Sequence, residues 1–96
     1  MTKMLKKLEA IIADRKTDPT PESYTAKLFR KGRPKIAQKV GEEATEVIVA
    51  ALAQSREEQV GELCDLFYHT LVLMADLGIT LDEVGAELEK RHKARE

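Results

Sequence analysis

Residues 47–78 read VIVAALAQSREEQVGELCDLFYHTLVLMADLG, and this stretch decides the fold. The run over 47–53 is apolar on every side of a helix, and a second apolar run lies after the polar turn. Between them Ser55 stands three residues before Glu58, the spacing of a capping box that starts a helix. Gly78 follows the last apolar turn, where glycine commonly ends a helix. The stretch therefore predicts two long helices joined by a short turn.

The chain ahead of this stretch also has helical spacing. Residues 2–15 carry an apolar stripe that repeats every three or four positions, which indicates an amphipathic first helix. A short second helix is predicted to be capped by Thr20 and to end at Gly32. The third helix is predicted to start near Pro34 and to run to about Gln54.

The chain after Gly78 is predicted to add one more helix. Thr80 and Glu83 form a second capping box, and apolar residues follow it at helical spacing before a charged end. No segment alternates apolar and polar residues as a half-buried strand does. Ninety-six residues are too few for two hydrophobic cores. We predict an all-α helical bundle that forms a single domain over residues 1–96.

Composition excludes several functional classes. The chain has 16 basic and 17 acidic residues, so its net charge of −1 gives no electrostatic case for a nucleic-acid partner. Cys64 is the single cysteine, which excludes an internal disulfide and a cysteine zinc site. No segment is long and apolar enough to cross a membrane, and the N-terminus lacks the apolar core of a signal peptide. We expect a cytoplasmic protein.

The two long helices are unusually apolar for so small a bundle. A surface helix should have a polar face, whereas the run over 47–53 has none. A 96-residue chain cannot bury two such helices completely by itself. A second copy of the chain is the simplest cover, so we predict a homodimer.

Two pairs of acidic residues stand out on these helices. Glu43 and Glu46 lie three apart on the third helix, and Glu62 and Asp65 lie three apart on the fourth. Residues at this spacing share a helix face, and antiparallel packing would bring the two faces together. Four converging carboxylates repel one another unless a cation neutralises them. An all-oxygen site suits Mg²⁺, which is commonly shared with substrate phosphates.

Such spacing is usually only a solvated helix face, but three features favour a metal site. The acids adjoin the most apolar stretches, and no Lys or Arg stands four residues after any of them. Each pair also follows a helix glycine, Gly41 or Gly61, which is costly unless a backbone approaches or a ligand needs space. A spare acid, Glu42 or Glu43, could orient a metal-activated water or take its proton.

The segment over residues 27–39 contains six Lys and Arg residues and no acid, and it runs directly into the acidic residues. A solvated loop and a nucleic-acid patch are alternative interpretations, although aromatic residues are few here. A binding site for a nucleoside polyphosphate explains this segment better than either alternative. In such a site metals act on the reacting anhydride, while basic side chains hold the other phosphates. The chain has no glycine-rich Walker loop.

Three motifs make the chain resemble a known family. They are SYTAKLF at 23–29, KIAQKVGEEATE at 35–46 and ELCDLFYH at 62–69. Together they resemble the phosphoribosyl-ATP pyrophosphohydrolases of histidine biosynthesis, over nearly the whole chain. The acidic pairs alone are shared with the wider MazG-like nucleotide pyrophosphohydrolase superfamily.

The resemblance implies Mg²⁺-dependent hydrolysis of phosphoribosyl-ATP to phosphoribosyl-AMP and pyrophosphate by a cytoplasmic dimer with a MazG-like arrangement of helices. It implies metal ligands at Glu43, Glu46, Glu62 and Asp65, with Glu42 as an additional acid. It also implies phosphate contacts from Lys27, Lys35 and Lys39. Two alternatives stay open, namely a house-cleaning pyrophosphatase for (d)NTPs and a non-catalytic helical dimerisation module.

Overall fold

The computed structural model describes residues 1–17 and 23–95, and these ranges form five helices. The helices are α1 (Thr2–Thr17), α2 (Tyr24–Lys31), α3 (Arg33–Ala53), α4 (Arg56–Leu77) and α5 (Leu81–Arg95). No strand occurs among the described residues, so the all-α prediction is confirmed. The predicted cap at Thr20 lies outside the described residues. α2 begins at Tyr24, and its N-cap is Ser23 rather than Thr20: the Ser23 hydroxyl accepts a hydrogen bond from the Ala26 amide.

The two central helices form an antiparallel hairpin. Only two residues separate α3 from α4, and these helices pack against each other more extensively than any other pair. The predicted capping box is present: the Ser55 hydroxyl accepts from the Glu58 amide at 3.2 Å, and the Glu58 carboxylate accepts from the Ser55 amide at 3.3 Å. Gly78 ends α4 in the left-handed conformation, with φ of 73°. The hairpin therefore begins and ends where the sequence pattern predicts.

The core lies where α1 and α2 cover the hairpin. It consists of five side chains that are almost fully buried: Ile12, Leu28, Ile36, Leu71 and Val72. Arg33 at the start of α3 also fastens the far end of α4, because its guanidinium donates to the Asp76 carboxylate at 2.7 Å and to the Asp76 carbonyl at 3.2 Å. The hairpin that carries the acidic residues is thus held by this core and by the Arg33–Asp76 contact.

The last helix meets this core at its first residue, Leu81. The chain turns by 104° between α4 and α5, and no residue of α5 is buried. Two polar contacts tie its start to α1: Lys6 pairs with Asp82, and the Leu81 amide donates to the Glu9 carboxylate at 2.7 Å. Within the described ranges, no single helix is long and apolar enough to span a membrane. Taken together, α4 and α5 have the length and composition for a span, but the pair is sharply bent.

Apolar side chains of the hairpin remain exposed in the single chain. Leu52 is 83% exposed and Ile48 is 59% exposed on α3, and Leu63 and Phe67 on α4 are also exposed. The sequence predicts helices that are apolar on all sides, and these are the sides that one chain leaves uncovered.

The two helix glycines have a different environment from the one proposed. A methyl group added at Gly41 or Gly61 would meet no atom within 4 Å. The interpretation that a neighbouring backbone requires glycine at these positions is therefore wrong within the described part of one chain. The open space beside them leaves the second interpretation, room for a ligand, as a prediction.

Candidate cation and phosphate site

Three acidic side chains of the hairpin meet at one place, which we call the acid cluster. Glu43 on α3 and Glu62 and Asp65 on α4 each have a carboxylate oxygen within 4.8 Å of the other two. Glu62 and Asp65 share a helix face because they lie three residues apart. The antiparallel hairpin then brings Glu43 opposite them. The structure thus brings together three of the four predicted metal ligands.

The acid cluster contains two buried oxygens that lack a hydrogen-bond partner among the described residues, Glu43 Oε2 and Glu62 Oε2. A buried carboxylate oxygen without a donor is costly, and neighbouring carboxylates also repel one another. A cation would relieve both costs. The donor set consists of oxygens alone, which suits a hard divalent ion better than a soft one. These residues therefore fit an ion such as Mg²⁺.

Glu46 is the predicted ligand that does not join the acid cluster. It is exposed, and it lies one turn along α3 from Glu43. Glu43 and Glu46 have the same three-residue spacing as Glu62 and Asp65, which both join the cluster. The spacing alone therefore does not decide which acids meet. A role for Glu46 as a metal ligand stays a prediction.

Lys39 contacts two of these acids, Glu42 and Glu43. Its ammonium lies 3.3 Å from Glu42 Oε2 and 3.5 Å from Glu43 Oε1. Glu42 is exposed and also accepts a hydrogen bond from the Gln38 amide at 2.8 Å. These two donors, Gln38 first and Lys39 second, lower the pKa of Glu42 and keep it ionised. Glu42 therefore lies at the edge of the site as a carboxylate.

The other two predicted phosphate contacts, Lys27 and Lys35, form no ion pair with the acid cluster in the described part of the chain. Lys27 is exposed on α2, and Lys35 is partly buried one turn before Lys39 on α3. Lys35 is close enough to contribute to the lowered pKa of Glu42, although less than the two hydrogen bonds do. Of the three predicted lysines, the structure places Lys39 in contact with the acids and the other two farther out.

A hydrogen-bonded chain that the sequence analysis missed connects α2 to the acid cluster. The Tyr24 hydroxyl lies 2.7 Å from Nε2 of the buried His69, and Nδ1 of His69 lies 2.8 Å from the Asp65 carbonyl. A carbonyl can only accept, so Nδ1 carries the proton. In the neutral ring Nε2 then accepts from Tyr24. The spacing of Asp65 and His69 was visible in the sequence, but nothing there shows that Tyr24, 45 positions away, reaches His69.

The surroundings of Tyr24 link it to the charged groups of the site. Burial raises the pKa of the Tyr24 phenol, the positive charge of Lys39 opposes this, and the negative charge of Glu43 adds to it. The phenol keeps its proton and can act as the donor to His69. Tyr24 is therefore part of the site's polar framework.

An apolar cleft between α1 and the end of α4 does not offer comparable chemistry. It has a volume of about 500 Å³ and includes none of the clustered acids. Its polar groups are engaged in the fold: Lys16 donates to the Ala75 carbonyl at 2.9 Å, and Glu9 accepts from the Leu81 amide. The acid cluster is the better candidate for catalysis.

The fold and the site together define a class of protein. A hairpin of long helices carries a carboxylate cluster, and a basic lysine lies directly beside it. This is the arrangement expected of a helical nucleotide pyrophosphohydrolase.

Sequence comparisons identify the family within this class. A family model described as phosphoribosyl-ATP pyrophosphohydrolase matches residues 5–92. The chain is 53% identical to the phosphoribosyl-ATP pyrophosphatase of Metallosphaera sedula, over 97% of this chain and 100% of that protein. It is 53% identical to the enzyme of that name from Paramagnetospirillum magneticum, over 94% of this chain and 83% of that protein. The corresponding protein of Pyrobaculum aerophilum is 52% identical, over 94% of this chain and 96% of that protein. The chain belongs to the phosphoribosyl-ATP pyrophosphohydrolase family.

Proposed function

We propose that this chain hydrolyses phosphoribosyl-ATP to phosphoribosyl-AMP and pyrophosphate, a step of histidine biosynthesis that we expect in the cytoplasm. The observation that carries the proposal is the acid cluster, with its two unpartnered buried oxygens and the adjoining Lys39. The relatives that share about half of its residues bear the name of this activity.

We infer that the acid cluster holds Mg²⁺ through Glu43, Glu62 and Asp65, with Glu46 as a further ligand. When bound, Mg²⁺ would neutralise the acids, polarise the reacting phosphate and lower the pKa of a coordinated water. The protein's own contribution is to hold these carboxylates on two helices that pack against each other. Glu42 or Glu43 would orient the attacking water and accept its proton, since both carboxylates lie at the same end of the site as Lys39.

The basic side chains would bind the phosphates that do not react. Lys39 lies next to the acids and is placed to contact a phosphate adjacent to the scissile bond. Lys35 precedes it by one turn on α3, and Lys27 projects from α2. We expect the lysines on α2 and α3 to contact successive phosphates of a polyphosphate that extends away from the acid cluster.

We also infer that two copies of the chain pair through the exposed apolar sides of α3 and α4. Leu52 and Ile48 are the most exposed large apolar residues of the hairpin, and burying such surface is the main driving force for association. Light scattering on the purified protein should give twice the chain mass of 10.8 kDa. A single-chain mass at micromolar concentration would contradict this inference.

Comparing substrates directly tests the proposed activity. In the presence of Mg²⁺, the kcat/KM for pyrophosphate release from phosphoribosyl-ATP should exceed that for dATP by on the order of 10²-fold or more. The reason is that the site would recognise the additional phosphorylated ribose, which dATP lacks. The same preparation carrying Glu62→Gln serves as the control for contaminating hydrolases. Equal turnover of dATP would favour a house-cleaning pyrophosphatase, and no turnover of either would favour a non-catalytic module.

A further inference from the structure

The two oxygens of Glu43 face different partners. Oε1 lies 3.5 Å from the Lys39 ammonium, whereas Oε2 is buried without a hydrogen-bond partner among the described residues. The Glu43 side chain is 9% exposed, so water cannot substitute freely for either partner. The buried Glu43 carboxylate thus contacts the Lys39 ammonium with one oxygen and belongs to the acid cluster.

Lys39 is well suited to act as that internal cation. Its side chain is 24% exposed and lies within 3.5 Å of both Glu42 and Glu43. Burial acts to lower the pKa of Lys39, but the hydrogen bonds to Glu42 and Glu43 help to leave it raised overall. The ammonium is therefore charged, and without a metal it is the positive charge that compensates Glu43.

A metal ion and this ammonium compete for the same carboxylate. An ion held by Glu43 would withdraw charge from the oxygen that Lys39 contacts, and the two cations would also repel each other. The long lysine side chain can move away without disturbing the helix, because its four-carbon stem is flexible. The phosphate of a bound nucleotide would offer the displaced ammonium a new anionic partner.

We propose that Lys39 is an exchangeable counter-cation of Glu43: metal binding displaces its ammonium from this carboxylate, and a substrate phosphate then receives it. This inference rests on the proposed function of the acid cluster as a divalent-cation site. It assigns Lys39 two successive partners. Its positive charge therefore weakens metal binding to the empty site and strengthens phosphate binding to the metal-loaded one.

Metal titration without any phosphate tests the first half. Mn²⁺ binding is followed by electron paramagnetic resonance in the wild type and in Lys39→Gln, with circular dichroism as a check of the fold. We expect Lys39→Gln to bind Mn²⁺ about fivefold or more tightly, within the usual range for coupling between two ligands. The metal-free variant should also melt at a lower temperature than the wild type, because Glu43 has lost its counter-charge.

Two further variants separate this effect from a general change of charge. Lys35→Gln removes one positive charge from the same helix, one turn away and without a contact to Glu43, so Mn²⁺ affinity should change by less than about twofold. Lys39→Arg keeps the charge and should restore Mn²⁺ affinity to nearly the wild-type value. A lysine that merely stabilised the fold would lower the melting temperature without tightening metal binding.

A titration with pyrophosphate at saturating Mn²⁺ tests the second half. Lys39→Gln should bind pyrophosphate roughly tenfold more weakly than the wild type, the usual loss for one charge-assisted contact. If Lys39→Gln binds Mn²⁺ no more tightly than Lys35→Gln, or binds pyrophosphate as well as the wild type, the exchange is refuted while the cation site stands. If the wild type binds no Mn²⁺, both this inference and the proposed function fail.

Discussion

The Glu62→Gln variant should lose kcat/KM for phosphoribosyl-ATP by on the order of 10²- to 10³-fold, the usual cost of removing one group that stabilises developing charge. Its metal-free form should nevertheless be at least as stable as the wild type. Glu62 Oε2 is buried without a hydrogen-bond partner among the described residues, and it belongs to the cluster with Glu43 and Asp65. Neutralising it removes repulsion, and the Gln amide can donate to the neighbouring carboxylates.

The opposite changes in activity and stability are what distinguish a ligand-binding acid from a structural one. Thermal melting in EDTA and pyrophosphate release in Mg²⁺ are both measured on the same preparations. Glu57→Gln is the matched control, since Glu57 lies exposed in the first turn of the same helix and should change neither quantity appreciably. A Glu62→Gln enzyme with wild-type rates would contradict the assignment, as would one that is markedly destabilised in EDTA.

Removing the metal should abolish turnover, and restoring Mg²⁺ should recover it fully. Mg²⁺ should also stabilise the folded chain, because a ligand that binds only the native state raises the free energy of unfolding. At 100 times Kd this amounts to about 2.7 kcal/mol. For a domain of this size, roughly 4–8 °C of melting temperature correspond to 1 kcal/mol, so a shift of roughly 10 °C or more is expected.

The Glu62→Gln variant again provides the control for this second prediction. It should show little thermal stabilisation at the Mg²⁺ concentration that saturates the wild type, because one ligand has lost its charge. Full turnover after exhaustive EDTA treatment would exclude the proposed role of Mg²⁺. An equal Mg²⁺ shift in both proteins would place the ion away from Glu62.

The helices could be predicted from the sequence because their signals are local. The capping box at Ser55 and the glycine at 78 use contacts between residues a few positions apart, and both are present. At Thr80 one half of the second predicted box is present, since the Thr80 hydroxyl accepts from the Glu83 amide. The orientation of α5 has no such signal. Its apolar residues have helical spacing, yet no residue of α5 is buried in the single chain. Spacing indicates which face of a helix is apolar but not what covers that face.

The acid cluster could be predicted only in part, because only some of its signals are local in the sequence. The three-residue spacing of Glu62 and Asp65 and the short turn placed Glu43 near them. Spacing could not show that Glu46 lies outside the cluster, because that depends on the rotation of α3 against α4. It could not reveal the bond from Tyr24 to His69 either, since a contact between distant segments depends on how the helices pack.

The most direct test of the central claim is to locate the ion. Crystals of the wild-type protein grown with Mn²⁺, which supports the same oxygen coordination as Mg²⁺, would be measured near the manganese absorption edge. The anomalous difference map should show a peak bonded to Glu43, Glu62 and Asp65, and the map of the Glu62→Gln protein should show a weak peak or none. A wild-type map with no peak at these carboxylates, from protein that Mn²⁺ activates, would contradict the assignment.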